Sequence, residues 1–480
     1  MKKLSCSVIP ADVVAHVLRN DLYSFVQACF PIVSGGSELI LNWHIEAICH
    51  ALRKVEAGDI KRLIITIPPR HLKSICASVC FPAFLLGHDP TRRIICVSYS
   101  EGLARKHAND CRALMRSPMY RRLFPRTRIS AEKDTELEFM TTARGSRLAT
   151  SVGGTLTGRG GNLIIIDDPL KPQDAYSESA REQLKQWYGN TLLSRLDNKA
   201  QDPIIIVMQR LHVDDLVGHL LEQKNWMVLN LPAIAPAEEF IPVRPGWVTH
   251  RKPGDILHPE REPISVLNEI KQTMGSLDFA AQYQQEPVPP GGHMITWSWF
   301  RFYDAPPVYR PGDRIILSWD TAMSVNELSN YSVCVVLLVR REAVFVLDVV
   351  REQLDYPNLR RRVLDLYGHW RKVSPNALLV IENKGSGMSL IQDLKSQYIH
   401  PISVDPSGDK IMRMHQQTAR IESGAVFLPL RAHWLDEFRR EVLAFPHGRH
   451  DDQVDAISQG LSRAFNYRPP VATTGSYSIR

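Results

Sequence analysis

The sequence predicts an α/β protein built as two domains in tandem. The first is a mostly parallel sheet with helices on both faces, and the second is an α/β domain that opens as a strand meander. Three observations carry this. Short β-branched runs alternate with helix-length segments from Leu63 to about Pro232, the order that builds parallel sheets. Prolines then crowd together from Pro232 to Pro290, ahead of Gly291-Gly292, which marks a connecting region. Beyond Pro311, three strand-like runs follow one another across short polar turns before helices return.

In the first domain the strands read as Leu63–Ile67, Arg93–Ser98, Leu163–Ile166, Ile204–Met208 and Met227–Leu231. Helices fall between them at Ser74–Leu86, Glu101–Met115, Ser177–Leu196 and Asp214–Glu222. The unbroken apolar runs Ile164–Ile166 and Ile204–Val207 fit strands buried on both faces. The connecting region carries one helix, about Ile264–Gln285. The second domain reads as strands Arg314–Trp319, Ser332–Val339 and Ala343–Val350, then helix Asn358–Trp370 and strand Ala377–Ile381. Helix Met388–Ser396, a strand near Ile402, and helices Lys410–Ser423, Trp434–Phe445 and Asp452–Phe465 complete it. The expected division is a helical or lid region at 1–60, a parallel-sheet domain at 61–235, the connection at 236–310, a ribonuclease H-like domain at 311–468 and a disordered tail at 469–480.

Composition narrows the class. At 44% hydrophobic and 23% charged residues, 480 residues can bury two or three cores. No run is long and apolar enough to span a bilayer, and the start Met1-Lys-Lys-Leu-Ser-Cys lacks a signal-peptide core. This argues against a membrane or secreted protein and for a soluble one in the cytosol. The 8 cysteines are scattered, with neither zinc nor disulfide spacing, as expected of buried thiols in a reducing compartment. The net charge of +7 permits a polyanionic partner without requiring one. Arginines cluster at Arg121–Arg128, Arg360–Arg362 and Arg439–Arg440, each cluster ordinary for a solvated face.

"PPRHLKS", ending at Ser74, follows the strand at Leu63–Ile67. Phosphate loops use backbone N–H groups at a helix start, a lysine for charge and a hydroxyl for Mg²⁺. Lys73 and Ser74 supply the two side chains, but Ile67 and Leu72 stand where the glycines of the usual pattern would be. Alone, this is also what a turn after a buried strand looks like. About a hundred residues on, Leu163–Ile166 ends in Asp167-Asp168, where one acid can hold the Mg²⁺ shell and the next can orient water. After a third strand, Gln209 occupies the position of a γ-phosphate sensor. The three elements in order outweigh any one of them. Trp43-His44 reads either as an adenine contact or as part of an amphipathic core helix.

A second chemistry lies in the later domain. Ile315–Asp320 and Leu378–Glu382 are strands ending on acids, and His450-Asp-Asp-Gln-Val-Asp455 opens the last helix. Two-metal phosphodiester cleavage needs carboxylates around ions roughly 3.5–4 Å apart. Asp452 and Asp455 share a helix face, while Asp451 sits at the N-cap. Asp320 could be a turn acid and Asp451 or Asp452 mere caps. Glu382, ending an apolar strand, needs a partner. His450 reads as a surface histidine rather than a general acid.

In these motifs the chain resembles the large terminase subunits of tailed phages and prophages, over nearly its whole length. "PPRHLKS" is similar to that family's deviant phosphate loop, "TGRGGNLIIIDDP" to its Mg²⁺ strand and "QRLHVDDLVGHLL" to its coupling segment. The resemblance implies a P-loop NTPase-type sheet followed by a ribonuclease H-like nuclease domain, using ATP with Mg²⁺, and Mn²⁺ as an option at the nuclease site. It places Pro69, Arg70, His71, Leu72, Lys73, Ser74, Asp167 and Gln209 around nucleotide, with Arg70 as an arginine finger in cis and Asp168 as the catalytic acid. Leu72 and Asp168 depart from the family's usual glycine and glutamate. It makes Asp320, Glu382 and Asp452 the nuclease metal ligands, with Asp451 or Asp455 assisting. It further implies double-stranded DNA, a terminase small subunit and the portal protein of a procapsid as partners. A ring of like subunits when docked, no membrane, the host cytoplasm and absence from the mature virion also follow from it. The competing readings are a helicase-like DNA-repair ATPase with an accessory nuclease, which would call for a second motor domain, and a non-catalytic DNA-binding scaffold, which would call for lost acids or a lost Lys73.

Overall fold

The computed structural model describes residues 10–223, 225–288, 294–322, 331–405, 409–448 and 450–466. The expected tail at 469–480, the first residues of the chain and the prolines at 289 and 290 lie outside them. The chain forms two compact units, Met1–Pro289 and Pro290–Arg480.

Unit 1 is organised by a sheet whose strands are β1 (Arg62–Thr66), β2 (Arg93–Ser98), β3 (Ile129–Asp134), β4 (Glu138–Thr141), β5 (Ser146–Ser151), β6 (Leu163–Asp167), β7 (Ile204–Met208) and β8 (Met227–Asn230). They lie in the order β3-β4-β5-β2-β6-β7-β1-β8. From β5 to β8 every neighbouring pair is parallel, while β3 and β4 add an antiparallel edge. All five residues of β6 and of β7 are buried, as expected of strands covered on both faces. Their Ile and Val side chains separate into two cores, one on each side of the sheet.

The helix after β1 is not regular. It opens as a π-helix at Ile75–Cys80 and becomes α-helical only from Phe81 to His88. The helix expected at Ser177–Leu196 likewise gives way after Trp187 to a π turn and a 3₁₀ turn. Trp43–Ala57 is a helix with its apolar face in the core, and His44 is buried in it.

Two expectations for the connecting region are corrected. The hairpin β9 (Glu239–Arg244) and β10 (Trp247–Arg251) occupies its start, with Ile241 and Val243 joining the unit 1 core. The single helix expected at Ile264–Gln285 is two, Ile264–Met274 and Ser276–Gln282, because Gly275 at φ 87° breaks it.

Unit 2 holds a seven-stranded sheet: β11 (Arg301–Tyr303), β12 (Arg314–Asp320), β13 (Ser332–Arg340), β14 (Ala343–Glu352), β15 (Leu378–Glu382), β16 (Ile402–Val404) and β17 (Val426–Pro429). The order is β11-β17-β14-β13-β12-β15-β16. The meander β12-β13-β14 is antiparallel, and β15 and β16 add in parallel beside β12, a ribonuclease H-like arrangement. The helix Asp452–Asn466 buries Val454, Ile457 and Leu461 in the same core as Leu337 of β13. Gly460 permits that approach, since a Cβ there would lie 2.7 Å from Leu337.

Candidate active sites

In unit 1 the carboxyl ends of β6, β7 and β1 lie side by side, so Asp167, Gln209 and the loop after β1 meet at one sheet edge. This is where parallel α/β sheets bind ligands. The missing glycines do not prevent the loop. Arg70 and Leu72 take left-handed backbones at φ 64° and 63°, and Asp168 does so at φ 44°. For non-glycine residues this costs on the order of 1–3 kcal/mol each and clusters at functional sites.

Lys73 is buried and its ammonium donates to Gln209 Oε1, while standing 3.1 Å from Asp168 Oδ1. Ser74 Oγ donates to Asp167 Oδ1 at 3.0 Å and Ser78 Oγ to Asp167 Oδ2 at 2.6 Å. Hydroxyl and carboxylate therefore face one another where Mg²⁺ would need both, and the hard-oxygen pair suits that ion. Burial pushes Asp167 upward, opposed by Ser78, Lys73 and Ser74. Asp168 is raised first by burial, and Lys73 opposes this. Arg70 is exposed at the loop and Pro69 half-buried beside it. His71 turns inward, its Nδ1 2.9 Å from the Pro69 carbonyl.

Behind Asp167 stand residues that the sequence reading missed. His107 Nδ1 lies 3.5 Å from Asp167 Oδ2, and burial lowers this histidine to about 4, so it is neutral. Arg147, fully buried, donates to the Ser78 carbonyl at 2.9 Å. No sequence pattern announces either one. The segment after β7 is built on Arg210, whose guanidinium donates to Asp215 at 3.0 Å, while the Arg210 backbone N–H donates to Gln285 Oε1.

In unit 2, the parallel register pairs Trp319 with Ile381, so Asp320 and Glu382 end adjacent strands at the same level. The last helix brings its acids over them. Gln459 pins that helix by donating to Ser318 Oγ at 3.0 Å and to the Trp319 carbonyl at 3.2 Å. A cavity of about 190 Å³ is lined by Asp320, Glu382, Lys410, Arg413, Asp452 and Asp455, among others. Burial and then Asp455, Glu382 and Asp452, in that order, push Asp320 well above the usual carboxylate range. Crowded carboxylates of this kind call for a cation, and the donor set fits a divalent ion. As placed, no group of three such side chains among the described residues forms a ready coordination shell.

The geometry shifts weight between the helix acids. Asp455, more than Asp452, acts on Asp320, whereas Asp452 is raised by burial and by Asp451. Asp455 and Asp451 already have cations: Lys410 reaches them at 2.9 and 2.7 Å, and Arg413 reaches Asp455 at 2.8 Å. Lys410 and Arg413 were also missed. Their signal was legible, since both lie in the first turn of the helix Lys410–Glu422, which has no acid there although helix N-termini favour acids. His450 is half-buried, its ring 5.7 Å from Tyr331.

Fold and sites together define a class: a mostly parallel α/β-sheet unit joined in one chain to a ribonuclease H-like unit with clustered acids. Residues 317–464 match the family model of the Terminase RNaseH-like domain. The large terminase of a thermophilic bacteriophage (crystal form 2) has the same fold, with a TM-score of 0.53 at 10% identity over 88% of this chain and 99% of that one. The same phage protein in complex with ATP-gamma-S (crystal form 3) gives 0.50 at 11% identity over 88% and 98%. No curated protein matches this chain in sequence. The family model thus covers most of the second unit, and the whole-chain likeness shows a shared fold.

Proposed function

We propose that this chain is the ATP-driven motor that moves double-stranded DNA into a procapsid and the metal-dependent endonuclease that cuts concatemeric DNA to length. One observation carries the reading: each unit holds its own cluster of phosphate-chemistry side chains, Lys73, Ser74 and Asp167 in the first and Asp320, Glu382 and Asp455 in the second. The thermophilic phage terminase in complex with ATP-gamma-S supports nucleotide at the first site.

In unit 1, Lys73 exchanges Asp168 and Gln209 for the β- and γ-phosphates. Ser74 and Asp167 would hold Mg²⁺, which when bound neutralises charge between those phosphates. Asp168, freed from Lys73, orients the attacking water. Arg70 supplies charge where it grows in the transition state, and Gln209 passes the loss of γ-phosphate to the coupling segment through neighbouring Arg210. In unit 2, Asp320, Glu382 and a helix acid would hold the divalent ions that activate water and steady the leaving oxygen. Asp455 keeps Lys410 and Arg413 beside the scissile phosphate, and Asp452 and Asp451 complete the acidic rim. Cutting of this kind needs no base-reading module. The partners in this reading are double-stranded DNA, a small subunit and a portal protein, with a ring of copies formed on docking in the host cytoplasm.

Paired variants of the full chain test this. Lys73→Ala should lose ATP hydrolysis and keep Mg²⁺- or Mn²⁺-dependent DNA cutting, and Asp320→Ala should do the reverse. Near-normal hydrolysis in the first or persistent cutting in the second overturns the corresponding half.

A further inference from the structure

Three histidines from distant segments meet in the interior of unit 1. His44 starts the helix Trp43–Ala57, His71 belongs to the loop after β1, and His258 lies in the turn after the β9–β10 hairpin. They are 1%, 2% and 4% exposed. Their ring centres are 5.4 Å (His44–His71), 5.3 Å (His44–His258) and 6.1 Å (His71–His258) apart. Glu262 lies one helical turn beyond His258, its N–H bonded to the His258 carbonyl at 2.9 Å. Glu262 Oε2 is 3.8 Å from His71 Nε2, while Oε1 faces Arg261 at 3.7 Å.

Both ring nitrogens of His44, both of His258 and Oε2 of Glu262 are buried without a hydrogen-bond partner. Five such atoms in one buried cluster are costly, because each has given up its water without gaining a partner. We propose that His44, His71, His258 and Glu262 form a zinc-binding site that ties the phosphate loop to the two segments packed behind it.

The spacing supports this. With Zn–N near 2.0–2.1 Å, a ring centre stands roughly 3.2 Å from the ion, so two tetrahedral imidazoles have centres about 5.2 Å apart. Nitrogen and oxygen ligands would lie about 3.4 Å from one another. The observed separations exceed these by less than 1 Å. As placed, the donors do not form a closed shell, so the site requires the rings to turn about their own side-chain bonds when the ion enters. The supporting shell is present: His71 Nδ1–H donates to the Pro69 carbonyl, leaving Nε2 free, the usual arrangement of a metal-bound histidine. Asn42 donates to the Leu257 carbonyl at 2.9 Å and so fixes His44 against the His258 turn. Burial holds all three imidazoles below their usual range, His71 at about 4.

The test uses the full chain carrying Asp320→Asn and Glu382→Gln, so that the nuclease acids cannot seat the ion. Zinc retained after dialysis is measured by elemental analysis, Tm is followed with added Zn²⁺, and Co²⁺ serves as a visible probe of tetrahedral geometry. One zinc per chain, a Tm raised by Zn²⁺ and lowered by chelator, and a tetrahedral cobalt spectrum are expected, all lost with His44→Gln plus His258→Gln. If that double variant does not fold, Glu262→Gln decides, with zinc affinity expected to fall by about tenfold or more. Failure of the parent chain to bind zinc, or unchanged binding in the variants, overturns the site.

Discussion

Asp278, in the helix Ser276–Gln282, offers a stability prediction whose size follows from the structure. It accepts a hydrogen bond from Tyr176 at 3.5 Å, and burial pushes it up to about 6 from 3.8. An acid with a raised folded-state value binds its proton more tightly when folded. Its burial therefore costs nothing below about pH 4, and the cost grows as pH rises from about 4 to about 6. A shift of roughly two units at 1.36 kcal/mol each gives about 3 kcal/mol of lost stability above pH 6. Asp278→Asn keeps the acceptor oxygen for Tyr176 and removes the charge. The variant should match wild type at pH 4 and exceed it by up to about 3 kcal/mol at pH 8. Urea unfolding of the full chain, followed across this range, measures the difference. A constant gap at both pH values would show that the carboxylate carries no burial cost, and the reasoning would fail.

The remaining predictions concern the two sites. Arg70→Ala should lower kcat for ATP hydrolysis on the order of a hundredfold or more while nucleotide affinity changes far less; an equal loss in both would make Arg70 a ground-state ligand. Gln209→Ala frees Lys73 of one partner, and ATP should still bind while hydrolysis slows, as read by nucleotide titration beside steady-state turnover. Asp455→Ala should impair DNA cutting more than Asp452→Ala, because it removes the acid pressing most on Asp320 and the anchor of Lys410 and Arg413. Equal cutting by the two variants would return the helix acids to equivalence. Asp320→Asn relieves like-charge crowding, so the metal-free chain should melt no lower than wild type near neutral pH, and a clearly lower Tm would contradict that crowding.

Much of this arrangement was legible because it rests on period and order. The apolar runs Ile164–Ile166 and Ile204–Val207 fit doubly covered strands, and acids closing such runs then emerge at a sheet end. The strand-end placement of Asp167, Asp320 and Glu382 follows from that. The edge strands β3 and β4 were not legible, since Ile129–Asp134 alternates weakly and is half-exposed, and their pairing depends on tertiary contact. Ser78, His107 and Arg147 were hidden for a different reason. Each sits on an element whose own pattern it does not disturb, and it becomes functional only through what the fold places opposite. The π-helix at Ile75–Cys80 belongs with them, because it re-aims Ser78 toward Asp167 without leaving a mark in composition.

The left-handed residues of the loop after β1 bear on where nucleotide affinity would come from in the proposed function. A glycine-rich loop wanders when empty and must be gathered by its ligand at each turnover. Here Arg70 and Leu72 hold positive φ angles with side chains attached, so the conformational penalty is met once, when the chain folds. Each incoming nucleotide then meets a cradle already set, and less of its affinity goes to ordering the backbone. Leu72→Gly should therefore ease the backbone strain and yet weaken nucleotide binding, which would trace the proposed site's grip to stiffness rather than to an added contact.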